Sequence, residues 1–178
     1  PVAAIKARLY LKQKRFDKAH SWASKSGLSL HDQPDYLHEF ERLTLAKIAL
    51  ADAPNAQQIL TILKLLDAQL KLAQQQNRLR SQIEILTLQA FALHTKGETS
   101  QAASALEQAL NLAAPEGYWR SFVNEGEAIR VLIDTVRLTI GRAGHPLSGY
   151  LARLSQPTHP HEQTSNIVQR KPEMIEPL

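Results

Sequence analysis

The sequence predicts an all-α protein, built from antiparallel helix pairs that stack as a superhelical repeat. Leu, Ala, Gln, Lys, Arg and Glu dominate the chain before Ser155, and these side chains lose little conformational freedom in a helix. Proline and glycine fall between the periodic segments, where helices end. Several segments carry apolar residues on a second face, such as Ile85 and Leu88. Such helices need cover on both sides, which stacked pairs provide.

The first predicted pair lies at the start of the chain. Ala7 and Tyr10 precede a basic turn at Lys14, and Phe16 and Ala19 follow it. This spacing predicts two short helices that approach closely at their alanines.

The second predicted pair spans residues 36–77 and has longer helices, with Ala46 at the position corresponding to Ala7. Pro54 separates the two helices. Asn55 is followed three positions later by Gln58, so we expect this pair to cap the helix that begins there. The helical period behind the prediction is carried by Ile59, Leu63, Leu66, Leu70 and Ala73.

The third predicted pair turns at Gly97. Ala90 and Leu93 precede the glycine, and Thr99 is expected to cap the helix after it. The second helix of this pair carries the period Ala102, Leu106, Ala109 and Ala113.

These pairs match the tetratricopeptide pattern, which places one small residue midway along the first helix and another early in the second. The match is irregular, because Lys14 occupies a position where glycine is common. The predicted spacing between pairs is about 40 residues, against 34 in the standard repeat. We therefore expect tetratricopeptide-like units with insertions.

Composition divides the chain into a helical repeat domain, residues 1–154, and a flexible linker, residues 155–178, which contains four prolines and little periodicity. No stretch reaches about 18 uninterrupted apolar residues, so no membrane span is expected. No signal peptide is apparent, and the 178 residues include no cysteine. This excludes disulfides, thiolate zinc sites and cysteine nucleophiles, and it fits a cytoplasmic protein.

Several segments resemble one family of regulators. They are APEGYWRSFVNEG at 114–126, EILTLQA at 84–90, Ala7-Arg8-Leu9 with Arg15, Ala19 and Trp22, Glu41 with Thr44-Leu45-Ala46, and the final Glu176-Pro177-Leu178. In their order along the chain, these segments are similar to the large LuxR-type, ATP-dependent transcriptional regulators related to the maltose-regulon activator (MalT-like). Lys47 stands where that family commonly has arginine.

The resemblance implies a function that the composition does not show. Family members carry an N-terminal ATP-binding domain, a repeat region that binds an inducer or a regulatory protein, and a C-terminal helix-turn-helix. The chain would be the end of such a repeat region with its linker, and the DNA-binding domain would follow Leu178. We expect contact with DNA only through that missing domain, and no cofactor in this region.

The candidate binding surface is the inner face of the superhelix, where a groove of mixed charge suits a small polar effector or a peptide. By helical phase, the residues expected there are Arg8, Lys47, Glu84, Phe91 and His94. A solvated surface is the alternative for the same five positions.

A cluster of aromatic residues is considered as a second candidate binding surface. Tyr118 and Phe122 are four residues apart and are expected to pack in the core. Trp119 and Arg120 are left as candidate surface contacts, because binding hot spots favour these residue types. Trp22 is expected to fill a gap between helices.

No catalytic arrangement is evident, and we expect the chain not to be an enzyme. Lys96-Gly97-Glu98-Thr99 lacks the order of a phosphate loop. His31 with His38, and His159 with His161, lack the spacing of a zinc site. No metal site is predicted.

The leading hypothesis is thus a sensing repeat domain of a LuxR-family regulator, and the alternative is a freestanding scaffold that docks other proteins. The basic first segment, from Lys6 to Lys25, leaves a third hypothesis open, attraction of an acidic partner or nucleic acid. A solvated helix face is the simpler account of that segment. An apolar end on the first helix would favour self-association.

Overall fold

The computed structural model describes residues 2–118, 122, 127–140 and 146–154. Within these ranges the chain forms eight helices and no strand. They are α1 (Val2–Lys12), α2 (Phe16–Lys25), α3 (Glu39–Ala51), α4 (Ala56–Gln75), α5 (Leu79–Thr95), α6 (Thr99–Ala113), α7 (Glu127–Ile140) and α8 (Ser148–Leu154). None of these helices is both long and apolar enough to cross a membrane. The predicted linker, residues 155–178, lies outside the described residues, and the domain boundary stays a prediction.

The helices pair in chain order. Short turns join α1 to α2, α3 to α4 and α5 to α6, which makes three hairpins, called hairpins 1, 2 and 3 in this order. Each first helix packs against the first helix of the next pair, so that α1, α3, α5 and α7 lie in sequence. Each second helix also packs against the first helix that follows it. This is the stacking expected of a helical repeat, and it confirms the predicted all-α class.

Small residues lie at the helix crossings, as predicted. Ala7, Ala46 and Ala90 are fully buried in the first helices of hairpins 1, 2 and 3. Ala19 and Ala102 are fully buried in the second helices of hairpins 1 and 3. Because these methyl groups are fully buried, larger side chains at the same positions would push the helices apart.

The repeat length also agrees with the prediction. Helix α3 begins 37 residues after α1, and α5 begins 40 residues after α3. Hairpin 1 has short helices, but the 26–38 connection that follows it restores the spacing.

One helix cap was predicted correctly and another was not. Asn55 accepts from the backbone N–H of Gln58 at 2.9 Å, and Gln58 accepts from that of Asn55 at 2.8 Å, so the two form a capping box for α4. The prediction for Thr99 was wrong. Thr99 is the first residue of α6, Glu98 holds the N-cap position, and no side chain caps this helix.

Burial is uneven along the stack. The largest apolar cluster joins α5, α6, α7 and α8, and a second joins α3, α4 and α5. Hairpin 1 contributes only Ala7 and Ala19 to a third cluster, where they meet Ile48 of α3. Four of its larger apolar residues, Val2, Ile5, Leu9 and Phe16, are exposed. Self-association through them stays a prediction.

The residues of the predicted aromatic cluster have different environments in the structure. Phe122 is fully buried and meets Tyr150 edge to face, with ring centroids 6.4 Å apart, as its predicted core role requires. The core prediction for Tyr118 was wrong, because this residue follows the end of α6 and is 38% exposed. Trp119 and Arg120 lie outside the described residues, so their role as candidate surface contacts stays a prediction.

Candidate functional site

Three of the predicted site residues meet on one face of the stack. Arg8 of α1, Lys47 of α3 and Glu84 of α5 come from three successive hairpins. Arg8 Nη1 lies 2.6 Å from Glu84 Oε1, and Lys47 Nζ lies 3.5 Å from the same oxygen. We call these three residues the ion-pair network, and it spans 76 positions of the sequence.

The guanidinium of Arg8 is held by more than Glu84. Its Nε donates to Thr44 Oγ1 at 2.6 Å, and its Nη2 donates to the carbonyl oxygen of Phe40 at 3.1 Å. Its Cζ also lies 3.8 Å from the centroid of the Phe40 ring, a favourable position for a cation over an aromatic face. The side chain is therefore fixed against α3 as well as α5.

Partial burial makes the network matter for stability. The side chains of Arg8, Lys47 and Glu84 are 18%, 15% and 27% exposed. Exposed ion pairs contribute about 0–1 kcal/mol, whereas removing one partner from a desolvated pair leaves a poorly solvated charge. Glu84 is the only acid of the network and faces two cations, so it is the residue on which the arrangement depends.

The other two predicted site residues lie further along α5. Phe91 is half-buried and packs against the cluster of α5 to α8. His94 is half-buried, and its Nδ1 is buried without a hydrogen-bond partner among the described residues. The structure thus brings Arg8, Lys47 and Glu84 together but does not join Phe91 and His94 to them by any described contact. A binding role for the five residues stays a prediction.

A second polar cluster links hairpins 2 and 3. Arg78, in the turn before α5, forms an ion pair with Glu39 at the start of α3. Ser81 Oγ donates to Glu39 Oε1 at 2.6 Å and accepts from Arg78 Nη1 at 3.0 Å. Glu39 is buried, and these bonds offset the desolvation of its carboxylate. This cluster fixes the angle between hairpins 2 and 3.

The connection before α3 holds a third charged group. The backbone N–H of His38 donates to Asp35 Oδ1 at 2.8 Å, and the buried Arg42 lies 2.6 Å from Asp35 Oδ2. The bond from His38, together with Arg42, lowers the pKa of Asp35 below its ordinary 3.8. Asp35 also contacts His38 Nδ1 at 3.1 Å. The histidine singled out in the sequence is thus a hydrogen-bond partner of Asp35 at a helix start.

The described residues contain no group of three metal-ligating side chains close enough to hold an ion. The chemistry available on this face is hydrogen bonding and ion pairing, which suits recognition of a polar ligand.

Sequence reasoning missed one feature, a cleft of about 780 Å³ in hairpin 1. Lys18, Trp22 and Lys25 line it from one side of α2. Their spacing of four and three residues is a helical signal that was present in the sequence. Trp22 was predicted to fill a gap, and it does pack against the small cluster of hairpin 1 while also lining the cleft.

Comparison with known protein families gives a match over most of the chain. The model of a family described as the MalT-like TPR region matches residues 1–138. The match includes α1 to α6, most of α7 and every residue of the ion-pair network. No curated protein and no solved structure matches the chain.

Proposed function

This chain belongs to the family of MalT-like TPR regions, and from that premise we propose that it senses an effector or a partner protein for a LuxR-type transcription regulator. In this proposal an ATP-binding domain precedes the repeats and a DNA-binding domain follows them. The chain itself catalyses no reaction, uses no cofactor and acts in the cytoplasm. Support for assigning the chain to a LuxR-type regulator comes from the resemblance of residues 114–126 and 176–178 to segments of that family.

The observation that carries the proposal is the ion-pair network. It joins the first helices of three hairpins through one carboxylate, Glu84. The relative positions of α1, α3 and α5 therefore depend on which groups this carboxylate and Arg8 contact. A ligand that binds there with hydroxyl, carboxylate or amine groups would exchange bonds with the network.

Such an exchange provides a mechanism of coupling. A ligand favours whichever arrangement of hairpins binds it better, by no more than its difference in affinity between the two arrangements. In a stack of hairpins, a small rotation at one interface moves the two ends of the chain relative to each other. Domains attached at those ends would be released or presented accordingly.

The first test is thermal unfolding of the chain against a panel of sugars, nucleotides and other small metabolites. A ligand present at about 100 times its Kd adds about 2.7 kcal/mol of stability, which is a rise of a few degrees in Tm for a domain of this size. A saturable rise from one chemical class identifies the effector class.

The second test asks whether that ligand acts through the network. In Glu84→Gln the carboxylate loses its charge, and Arg8 and Lys47 lose their shared acid. We expect a loss of about 1–3 kcal/mol of stability and at least tenfold weaker binding of the effector. Glu98→Gln is the matched control, because the ion pair that Glu98 forms among the described residues is local, with Lys96 at 2.7 Å. It should change both quantities little.

The regulator proposal is contradicted if an effector that binds the repeats leaves the DNA affinity and the oligomeric state of the full-length protein unchanged. The scaffold hypothesis gains instead if no metabolite shifts Tm and a folded partner protein binds the same face. In that case Glu84→Gln should weaken the partner's binding, since the partner would contact the network.

A further inference from the structure

Hairpin 1 contains a cleft that is separate from the ion-pair network. Its walls are α1, α2, the connection after α2 and the start of α3. The cleft is lined by Ala3, Lys6, Tyr10, Lys18, Ser21, Trp22, Lys25, Ser26, Leu28, His38 and Glu41. Lys6 and Arg8 are two positions apart on α1, so they lie on different sides of this helix. The cleft and the network thus occupy different faces.

The lining carries an excess of positive charge. Lys6, Lys18 and Lys25 all line the cleft, against the single carboxylate of Glu41. These three lysines are exposed, and within the described residues none of them forms an ion pair. The less exposed cations of the stack, Arg8, Arg42, Lys47 and Arg78, all do. Three ammonium groups around one concavity repel each other and attract an anion.

The same cleft has an aromatic wall. Tyr10 and Trp22 are half-buried and pack against the small cluster of hairpin 1, so their rings are held in place. Lys18 Nζ lies 5.7 Å from the centroid of the Tyr10 ring, which puts one of the cations beside this wall. An apolar, flat group bound there would lie within reach of the lysines.

The volume of the cleft and its hydrogen-bonding groups further restrict the class of ligand that would bind there. The cleft of about 780 Å³ lies within the range typical of small-molecule sites, about 300–1,000 Å³. His38 has its Nδ1 engaged by Asp35 at 3.1 Å, which leaves Nε2 for a ligand. Ser26 is engaged within its own loop, where its hydroxyl donates to the carbonyl oxygen of Ala23 at 2.8 Å.

We propose that this cleft binds a small, ring-bearing phosphate monoester, with the phosphate held by Lys6, Lys18 and Lys25 and the ring packed against Trp22 and Tyr10. Phosphate matches the site because its charge at neutral pH is close to −2 and its three terminal oxygens accept several charge-assisted bonds. The site does not depend on the proposed regulatory function, since it lies on a different face and involves none of the network residues.

The experiment is isothermal titration of the chain with phenyl phosphate, inorganic phosphate and phenol at low ionic strength. We expect saturable binding of phenyl phosphate with a Kd on the order of 1 mM or below. Inorganic phosphate should bind at least tenfold more weakly than phenyl phosphate because it has no ring. Phenol should also bind at least tenfold more weakly, because it has no charge. Added salt should weaken binding of phenyl phosphate, since the lysines are exposed.

Paired lysine variants locate the site. In Lys6→Gln/Lys25→Gln we expect at least tenfold weaker binding, a loss of about 1.4 kcal/mol or more. Lys64→Gln/Lys71→Gln is the matched control, because both lysines are exposed on α4, outside the cleft, and the charge change is equal. Thermal unfolding of both variants should match that of the parent chain.

Two results would overturn the proposal. One is the absence of saturable binding of phenyl phosphate up to about 10 mM. The other is equal loss of affinity in the two double variants, which would mean that the net charge of the chain attracts the anion and the cleft does not.

Discussion

Arg8 illustrates, at the residue scale, why the type of cation matters in this fold. Its guanidinium donates in three directions, to Glu84, to Thr44 and to the carbonyl oxygen of Phe40, while its plane covers the Phe40 ring. A lysine has one nitrogen on a flexible chain and cannot form this set of contacts at once. Lys47 accordingly lies farther from Glu84 Oε1, at 3.5 Å against 2.6 Å for Arg8 Nη1.

Tyr150 contains a buried polar group whose burial is unfavourable for the stability of the fold. Its hydroxyl is buried and has no hydrogen-bond partner among the described residues, although its ring packs against Phe122. We predict that Tyr150→Phe keeps the ring contact and leaves stability unchanged or raises it by up to about 1 kcal/mol, since an unpaired buried hydroxyl is removed. Urea unfolding at pH 7 measures this, and a loss above about 1 kcal/mol would point to a missing partner for the hydroxyl.

The same residue predicts a dependence on alkaline pH. Burial raises the pKa of Tyr150 from its ordinary 10.0 to about 12. Because the folded-state pKa is the higher one, its contribution to stability is complete below pH 10 and is lost as the pH rises towards 12. Between pH 9 and pH 11.5 the parent chain should lose more stability than Tyr150→Phe. Equal losses in the two proteins would show that Tyr150 titrates normally.

At the scale of the element, four helix ends use one turn geometry. Residues with positive φ follow the ends of α1, α4, α5 and α6, namely Lys14, Asn77, Gly97 and Gly117. After each of them the next backbone N–H donates to a carbonyl oxygen five positions back, as Arg15 does to Tyr10 at 2.9 Å and Glu98 to Leu93 at 2.9 Å. This arrangement satisfies carbonyl groups that a helix end leaves unpaired.

In hairpin 1 this turn geometry is unfavourable, because Lys14 occupies the position that requires a positive φ. Its φ is 57°, in the left-handed region, whereas the equivalent position of hairpin 3 is glycine with φ 88°. We predict that Lys14→Gly stabilises the chain by about 0.5–1 kcal/mol, because glycine adopts this conformation without steric penalty. The matched control is Lys12→Gly, within α1, which should destabilise it by up to about 1 kcal/mol. Urea unfolding measures the stability of both variants. A loss of stability in both would contradict the prediction.

At the scale of the whole molecule, hairpin 1 buries fewer large apolar side chains than hairpins 2 and 3. The buried residues of α1 and α2 are three alanines, Ala4, Ala7 and Ala19. Helix α5 buries four leucine and isoleucine side chains, between Ile83 and Leu88, and α6 buries Leu106 and Leu110 beside five alanines. In a repeat protein each unit is stabilised mainly by its own packing and by its neighbours. The hairpins should therefore differ in local stability.

We predict that hairpin 1 opens before the rest of the stack. Backbone amides of α1 and α2 should exchange with solvent at least a hundredfold faster than those of α5 and α6 under native conditions. Ile48→Ala removes the largest member of the small cluster that hairpin 1 shares with α3, so it should speed exchange in α1 and α2 selectively. Hydrogen exchange followed by mass spectrometry measures both effects, and uniform protection across the three hairpins would contradict the prediction.

The sequence by itself determined the class of fold, the first three hairpins and their spacing. It also determined the buried alanines at positions 7, 46 and 90 and the cap formed by Asn55 and Gln58. These features depend on residues within about one repeat of each other, where helical period, turn residues and capping pairs act locally. The helical phase also assigned Arg8, Lys47 and Glu84 to one common surface, and these three side chains do meet in the structure.

Only the tertiary structure decided which of those side chains touch. Arg8 meets Glu84 across 76 positions because α1, α3 and α5 lie side by side, and no local pattern contains the rotation of one helix against another. The same reason explains why Phe122 is buried while Tyr118 is exposed. It also explains why three lysines and two aromatic rings, separate in the sequence, line one cleft. Sequence period assigns a residue to a face of its own helix, and helix packing decides what that face meets.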